Sequence, residues 1–219
     1  MKNEEELDEY AAAALVQMSP KLLRALSKKA PKKGEIRTLP FSETGKHRTY
    51  SREALLSFDG YLRKPWPSEE GKRPYIPLPI QNEVRAESFM QCAVCHSHAD
   101  TCELAHIEPV ASGKCNHPHN LILLCANHHT KFDKQGVLGH REEVRLVVQS
   151  YKNVALHATR VKWGSHANSI AECYSIAQLC AHLKKELKDI EAEAVERVKV
   201  FEKMAEQAVS SLRDKVGLL

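Results

Sequence analysis

The sequence lacks any apolar run approaching the ~20 residues that a bilayer span needs. Its first residues, MKNEEELDEY, are acidic and lack the basic start and apolar core of a secretory signal. Together these absences predict a cytoplasmic chain that engages no membrane. No segment of 20 to 50 residues recurs, so solenoids and propellers are excluded. Aromatic residues are few, at 6 %. From Ser169 to Lys215 there is neither proline nor glycine, which predicts unbroken helix there. A net charge of +4 over 219 residues excludes little by itself.

What is present is unevenly distributed. Residues 20 to 75 hold fourteen Lys or Arg against six acids, an excess of eight. A local excess of that size suits a surface that meets phosphates. Lys28, Lys29, Lys32 and Lys33 are the densest part of it and are the candidate nucleic-acid contacts. The competing reading is a solvated linker. Five prolines between residues 65 and 79 exclude regular structure there and suggest a boundary.

Hydrophobic periodicity predicts helix over residues 5 to 29, with a second start at Ser19-Pro20, a good cap followed by a good first-turn residue. Residues 30 to 50 are expected to be loop, and Ser51 to begin a short helix. Another helix is expected from about Glu142 to Lys152. Toward the C-terminus, Leu183, Leu187, Ile190, Ala194, Val198, Phe201, Ala205, Ala208 and Leu212 recur at steps of three and four. That is coiled-coil spacing, and such a stripe must be buried against another helix of the chain or a partner. The expected organisation is a helical basic region (1–64), a proline-rich linker (65–80), a cysteine–histidine domain (81–165) and a long C-terminal helix for assembly (166–219). The fold class is α+β, mostly helical.

Five of the seven cysteines, Cys92, Cys95, Cys102, Cys115 and Cys125, fall within 34 residues. In a reducing compartment clustered cysteines read as metal ligands. Cys173 and Cys180 stand apart and read as small core residues. Cys92-Ala-Val-Cys95 and Cys125-Ala-Asn-His128 are two half-sites, each with two intervening residues, separated by about thirty. That is the pattern of a four-coordinate structural Zn2+ site. Cys102 and Cys115 are substitute ligands but lack partners at that spacing. His128 and His129 are adjacent, so on a helix their side chains point about 100° apart and cannot share one task.

Between the half-sites, residues 102 to 107 suit a strand that puts Leu104 and His106 on one face. Pro109 ends it, a loop with Gly113 follows, and Asn120 precedes the apolar run Leu121–Leu124. NHHTKFD continues as helix. The order "AHIEP…N…NLILLCANHHTKFD", flanked by CxxC and CxxH, resembles the HNH nucleases, the zinc-knuckled branch of the ββα-metal (His-Me finger) family. The resemblance covers residues 92 to 136. It implies a metal-dependent endonuclease acting on DNA, with His106 as general base, Asn120 in the loop, and His129 on a catalytic Mg2+ or Mn2+ ion. His128 would then complete the zinc site while His129 faces the catalytic ion.

One position departs from the family pattern. Many HNH proteins have Asp directly before the base histidine as a metal ligand; here it is Ala105. Asp133, one helical turn after His129, is the best replacement. Glu103 is less suited because strand alternation turns it from His106, and Glu108 because it adjoins Pro109. His96, His98, His117 and His119 read as loop residues. The module is also similar to effectors of bacterial anti-phage systems, which implies a partner, an ATPase or sensor subunit, or else a homo-oligomer. The alternative function is a catalytically degenerate zinc module that binds nucleic acid or protein, for which Ala105 is the best support.

Overall fold

The computed structural model describes residues 5–34, 36–44, 47–70, 72–97, 101–108, 115–133, 140–186 and 192–217. The chain divides into two compact units, Met1–Val161 and Lys162–Leu219. No described helix is long and apolar enough to cross a membrane.

In the first unit, β1 (Glu6–Asp8) leads directly into α1 (Glu9–Val16). Asp8 makes that turn, its carboxylate accepting from the Tyr10 and Ala11 N–H groups. Ser19 caps α2 (Pro20–Lys28) by accepting from Leu22 N–H, with Pro20 in the first turn. Residues 30 to 50, expected as loop, contain β2 (Ser42–Thr44) and β3 (His47–Ser51). The three strands form an antiparallel sheet in the order β1-β3-β2, with Leu7 opposite Tyr50. Polar Thr, Arg and Glu on these short strands hid them from a hydrophobic-pattern reading. Ser51 caps α3 (Arg52–Arg63). Tyr10, Leu22, Leu23, Leu55, Phe58 and Leu62 are buried in the core of this region.

The proline-rich stretch is not a free linker. Trp66 is buried, and its indole N–H donates to Leu62 O at 2.8 Å. The chain then enters α4 (Leu78–Glu87) with proline in its first turn. The boundaries expected near residues 64 and 80 therefore lie inside the first unit. The boundary expected near residue 165 falls instead at 161.

β4 (Cys102–His106) and β5 (Leu121–Cys125) pair antiparallel, with Cys102 opposite Cys125 and His106 opposite Leu121. A single 3-10 turn (Pro118–Asn120) precedes β5, and α5 (Ala126–Asp133) follows it. Ala105, Ile122, Leu124 and Phe132 form one core with Val148 of α6 (His140–Glu186). The order β4, β5, α5 agrees with the expected strand, loop, strand or turn, then helix, and the apolar run Leu121–Leu124 is a strand. α6 is also tied to α4: buried Lys152 donates to both Glu87 carboxylate oxygens at 2.7 Å.

The second unit takes in the rest of α6 and α7 (Ala192–Gly217). Lys184 bonds Glu202 and Arg213 bonds Tyr174. One contact lies ten residues back along α6 and eleven forward along α7, so the two helices run antiparallel. Trp163, Ala167, Ile170 and Cys180 are buried on α6, and Ala205 and Val209 on α7. The long helix is present, but it starts at His140 and a second helix returns along it. The expected stripe is split accordingly: Leu183 and Phe201 are 42 % and 61 % exposed, and the side chains of Leu187, Ile190 and Ala194 lie outside the described residues. Periodicity carries no signal for where a helix reverses. Ile176, Leu179, Phe201 and Met204 are exposed; Leu179 and Met204 each precede a buried residue, Cys180 and Ala205, by one, and Ile176 and Phe201 each precede a half-buried one, Ala177 and Glu202. In an antiparallel pair that offset places them on one side of the hairpin.

Removing one partner of a buried ion pair strands the other charge. Lys152→Ala should therefore lower the stability of the protein by about 3 kcal/mol in urea denaturation. Lys152→Met combined with Glu87→Gln removes both charges and should lose less than half as much. Equal losses would show that packing, not charge, ties α6 to α4.

Candidate metal and catalytic centre

Cys92 and Cys95 come from the tight turn before β4, Cys125 ends β5, and His128 sits in the first turn of α5. Backbone bonds build the turn, His96 N–H donating to Cys92 O at 2.8 Å and Ala93 N–H donating to Leu123 O at 3.0 Å. One donor atom from each of the four residues lies within 4.8 Å of the other three. Cys92 Sγ is 3.7 Å from His128 Nδ1, and Cys95 Sγ is 3.9 Å from Cys125 Sγ. Tetrahedral zinc, with bonds of ~2.3 Å to sulfur and ~2.0 Å to nitrogen, sets such donors roughly 3.5–3.8 Å apart. The donor set therefore fits zinc in both chemistry and spacing. Ser97, 3.0 Å from Cys95 Sγ, lowers that thiol to about 6, toward the thiolate a metal needs. Burial pushes Cys92 the other way. Cys102 and Cys115 are not in the cluster; Cys115 Sγ instead lies against Leu62 O.

His106 ends β4 and is buried. Its Nε2 is 2.8 Å from Asn116 Oδ1. The Asn116 amide nitrogen donates to Tyr75 O at 2.9 Å and Pro74 O at 3.3 Å, so its oxygen is the atom turned to the ring. An amide oxygen only accepts, so His106 Nε2 carries the proton. Nδ1 is then the basic nitrogen, and it is buried with no partner among the described residues. Burial lowers the His106 pKa, with Arg73 and His129 adding to the effect against Asn116 and Asp133. The ring is held neutral in one tautomer, as a proton acceptor must be.

Asn120 fastens both ends of the intervening loop. Its Oδ1 accepts from Glu108 N–H at 2.8 Å, its Nδ2 donates to Cys115 O at 2.9 Å, and its carbonyl accepts from Ile107 N–H at 2.8 Å. His117 and His119 are loop residues that anchor rather than ligate. Buried His117 bonds Asp59 Oδ1 at 2.9 Å, and His119 bridges Arg63 and Gln17 O. Burial holds His119 down at about 3, so it stays neutral. His96 is exposed, and His98 lies outside the described residues.

His129 faces two carboxylates. Nδ1 is 2.9 Å from Glu103 Oε2, and Nε2 is 3.1 Å from Asp133 Oδ2. A neutral imidazole has one N–H, so one nitrogen would oppose a carboxylate with no hydrogen between them. A cation at that edge removes the conflict, and the other carboxylate then orients the ring by accepting its N–H. His129 with one of these carboxylates offers one nitrogen and one oxygen donor to a divalent ion. Strand alternation puts Glu103 on the face opposite His106, yet its carboxylate meets His129 of α5. Arg73, from the proline-rich stretch, lies 3.9 Å from Asp133 Oδ2 with most of its side chain in solvent.

Lys28, Lys29 and Lys33 are exposed near the end of α2. Lys32 is not: it is 3 % exposed. Its ammonium donates to Tyr61 O and Lys64 O at 2.7 and 3.0 Å and sits over the Tyr61 and Trp66 rings. Lys32 is therefore removed from the expected phosphate contacts, because its charge is spent inside the fold. Charge counting does not register burial. Asn116 and Arg73 went unnoticed in sequence because neither has a spacing relation to the histidines. The contact of Glu103 with His129 carries no spacing signal either.

Residues 92–136 match the family model described as HNH endonuclease. The match spans β4, β5, α5 and the whole Cys3His cluster, so this segment is similar to HNH endonuclease domains and carries a donor set that fits a zinc knuckle. No curated protein and no solved structure matches the chain.

Zinc binding here is folding energy, because the cluster joins the start of α5 to the turn before β4. Elemental analysis of purified protein should find about one equivalent of zinc. Cys95→Ala should lose the metal and melt far below wild type. Less than half an equivalent in well-folded wild-type protein would refute the assignment.

Proposed function

We propose that the chain is a metal-dependent endonuclease that hydrolyses phosphodiester bonds of DNA. The observation that carries this reading is His106, whose buried Nδ1 has no partner among the described residues and belongs to the same strand–strand–helix frame as His129 and Asp133. His106 Nδ1 takes the proton of the attacking water while Asn116 holds the ring through Nε2. Asn120 keeps the loop ends closed and so keeps His106 at the end of its strand. His129 with Asp133 or Glu103 would hold the divalent ion, which when bound supplies positive charge against the phosphate and the leaving oxygen.

A second reading has one observation behind it. Ala105 is fully buried in the core, so no carboxylate occupies the position before His106. On that reading the module binds nucleic acid without cutting it. An effector role in a larger assembly, governed by an ATPase or sensor subunit or by a second copy, is part of the leading proposal. Its support is the apolar side of the hairpin formed by Ile176, Leu179, Phe201 and Met204.

Plasmid cleavage titrated with magnesium or manganese separates the readings. His106→Ala should cut about 10²–10⁴-fold more slowly with zinc content unchanged. Of Glu103→Ala and Asp133→Ala, at least one should raise the metal requirement about 10–100-fold. Because the His106 pKa is lowered, the base stays unprotonated to lower pH. The acidic limb of the rate should therefore lie below the ordinary imidazole value of ~6.5. A wild-type rate for His106→Ala sinks the catalytic reading. No cleavage by wild type at any metal concentration favours the second.

A further inference from the structure

A cavity of about 440 Å³ lies between the end of α2 and the proline-rich stretch, lined by Leu26, Lys29, Pro31, Lys33, Tyr75 and Leu78 among others. Its floor is apolar. Lys29 and Lys33 are exposed, and no described acid pairs with either. Tyr75 is 64 % exposed, although its backbone carbonyl is held by Asn116. Tyr75 O accepts from Asn116, whose oxygen accepts from His106. Two residues earlier, Arg73 approaches Asp133. One short run of chain therefore meets the amide that holds the base, the metal-side carboxylate and the cavity. Cα atoms two residues apart are at most ~7 Å from each other, about one nucleotide step of an extended strand. Prolines 74, 77 and 79 fix φ along the wall, so little ordering is needed when a ligand arrives.

We propose that this cavity is a subsite for an unpaired nucleotide of single-stranded nucleic acid, its base on the Tyr75 ring and its flanking phosphates on Lys29, Lys33 and Arg73. The chemistry selects that ligand. An aromatic ring beside an apolar floor takes the face of a base, and lysines at the rim take phosphates. Bases stacked in a duplex offer edges, not faces. Lys32 contributes only its stem, since its ammonium is bonded to backbone carbonyls. The subsite rests on the endonuclease reading for its relation to the cut, but its occupancy can be measured without cleavage.

The experiment is fluorescence anisotropy with a labelled 15-nucleotide thymidine strand, using the full zinc-loaded chain and no added magnesium or manganese. Tyr75→Ala should bind the strand roughly tenfold more weakly with an unchanged salt slope, because stacking releases no counterions. Tyr75→Phe should bind within twofold of wild type. Lys29→Gln with Lys33→Gln should reduce the slope of log K against log salt by about 1.4, at ~0.7 per phosphate contact. These side chains are exposed, so circular dichroism should be unchanged. The subsite is overturned if wild type fails to bind the strand at low salt. It is equally overturned if Tyr75→Ala binds within twofold of wild type, or if a duplex of the same sequence loses as much affinity as the strand. Failure to cut plasmid would count against the catalytic reading and leave these outcomes intact.

Discussion

The Cys92, Cys95, Cys125 and His128 cluster sets the rotational phase of α5, and that phase decides what the adjacent imidazole can reach. With Cys125 ending β5 and His128 drawn to the same point, His129 is turned about 100° away on the helix. That turn brings it between Glu103 and Asp133. An eight-residue helix is far too short to hold this phase alone. Its other anchor is Phe132, buried against Val148 of α6. Metal affinity and a small apolar core thus aim one side chain between them.

What could be read in the sequence follows the range of each interaction. Donor spacing is local, so CxxC and CxxH fixed the cluster, and the order of strand, loop, strand and helix followed from Pro109, Asn120 and the apolar run after it. The role of Asn116 depends on Tyr75 and Pro74, some forty residues away, and no local pattern announces it. The contact of Glu103 with His129 escapes a sequence reading for a different reason. Alternation states which face of a strand a residue occupies but not what packs on that face, and here it is α5. Lys32 shows the same limit for charge, since composition counts an ammonium whether it faces water or three carbonyls. The β2–β3 hairpin escaped because its strands are short and polar.

A neutral histidine placed away from water needs a reason to stay oriented. Leaving a polar nitrogen buried and unpartnered costs about 1–3 kcal/mol. His106 carries that cost at Nδ1 and recovers part of it at Nε2, where Asn116 is itself held by two carbonyls. Substrate water at Nδ1 would satisfy the orphan atom. A purely structural histidine would be expected to satisfy both nitrogens, as His117 does with Asp59 and His119 N–H.

The family-matched segment supplies the base, the cluster and the metal-side residues, yet it does not close the site by itself. Arg73 and the carbonyls that hold Asn116 come from the proline-rich stretch, which Trp66 and the Asn116 bonds fasten into the first unit. Proline suits this position because its carbonyl remains available while its missing N–H leaves no donor to satisfy. The stretch can therefore present Pro74 O and Tyr75 O inward and the Arg73 and Tyr75 side chains outward. An HNH module cut out at residue 92 would keep its zinc ligands and lose both the acceptors that orient the base-holding amide and the guanidinium beside Asp133. The proline-rich stretch before the module is thus part of the centre's construction, and variation in residues 73–75 would alter both the contact with Asp133 and the position of the base.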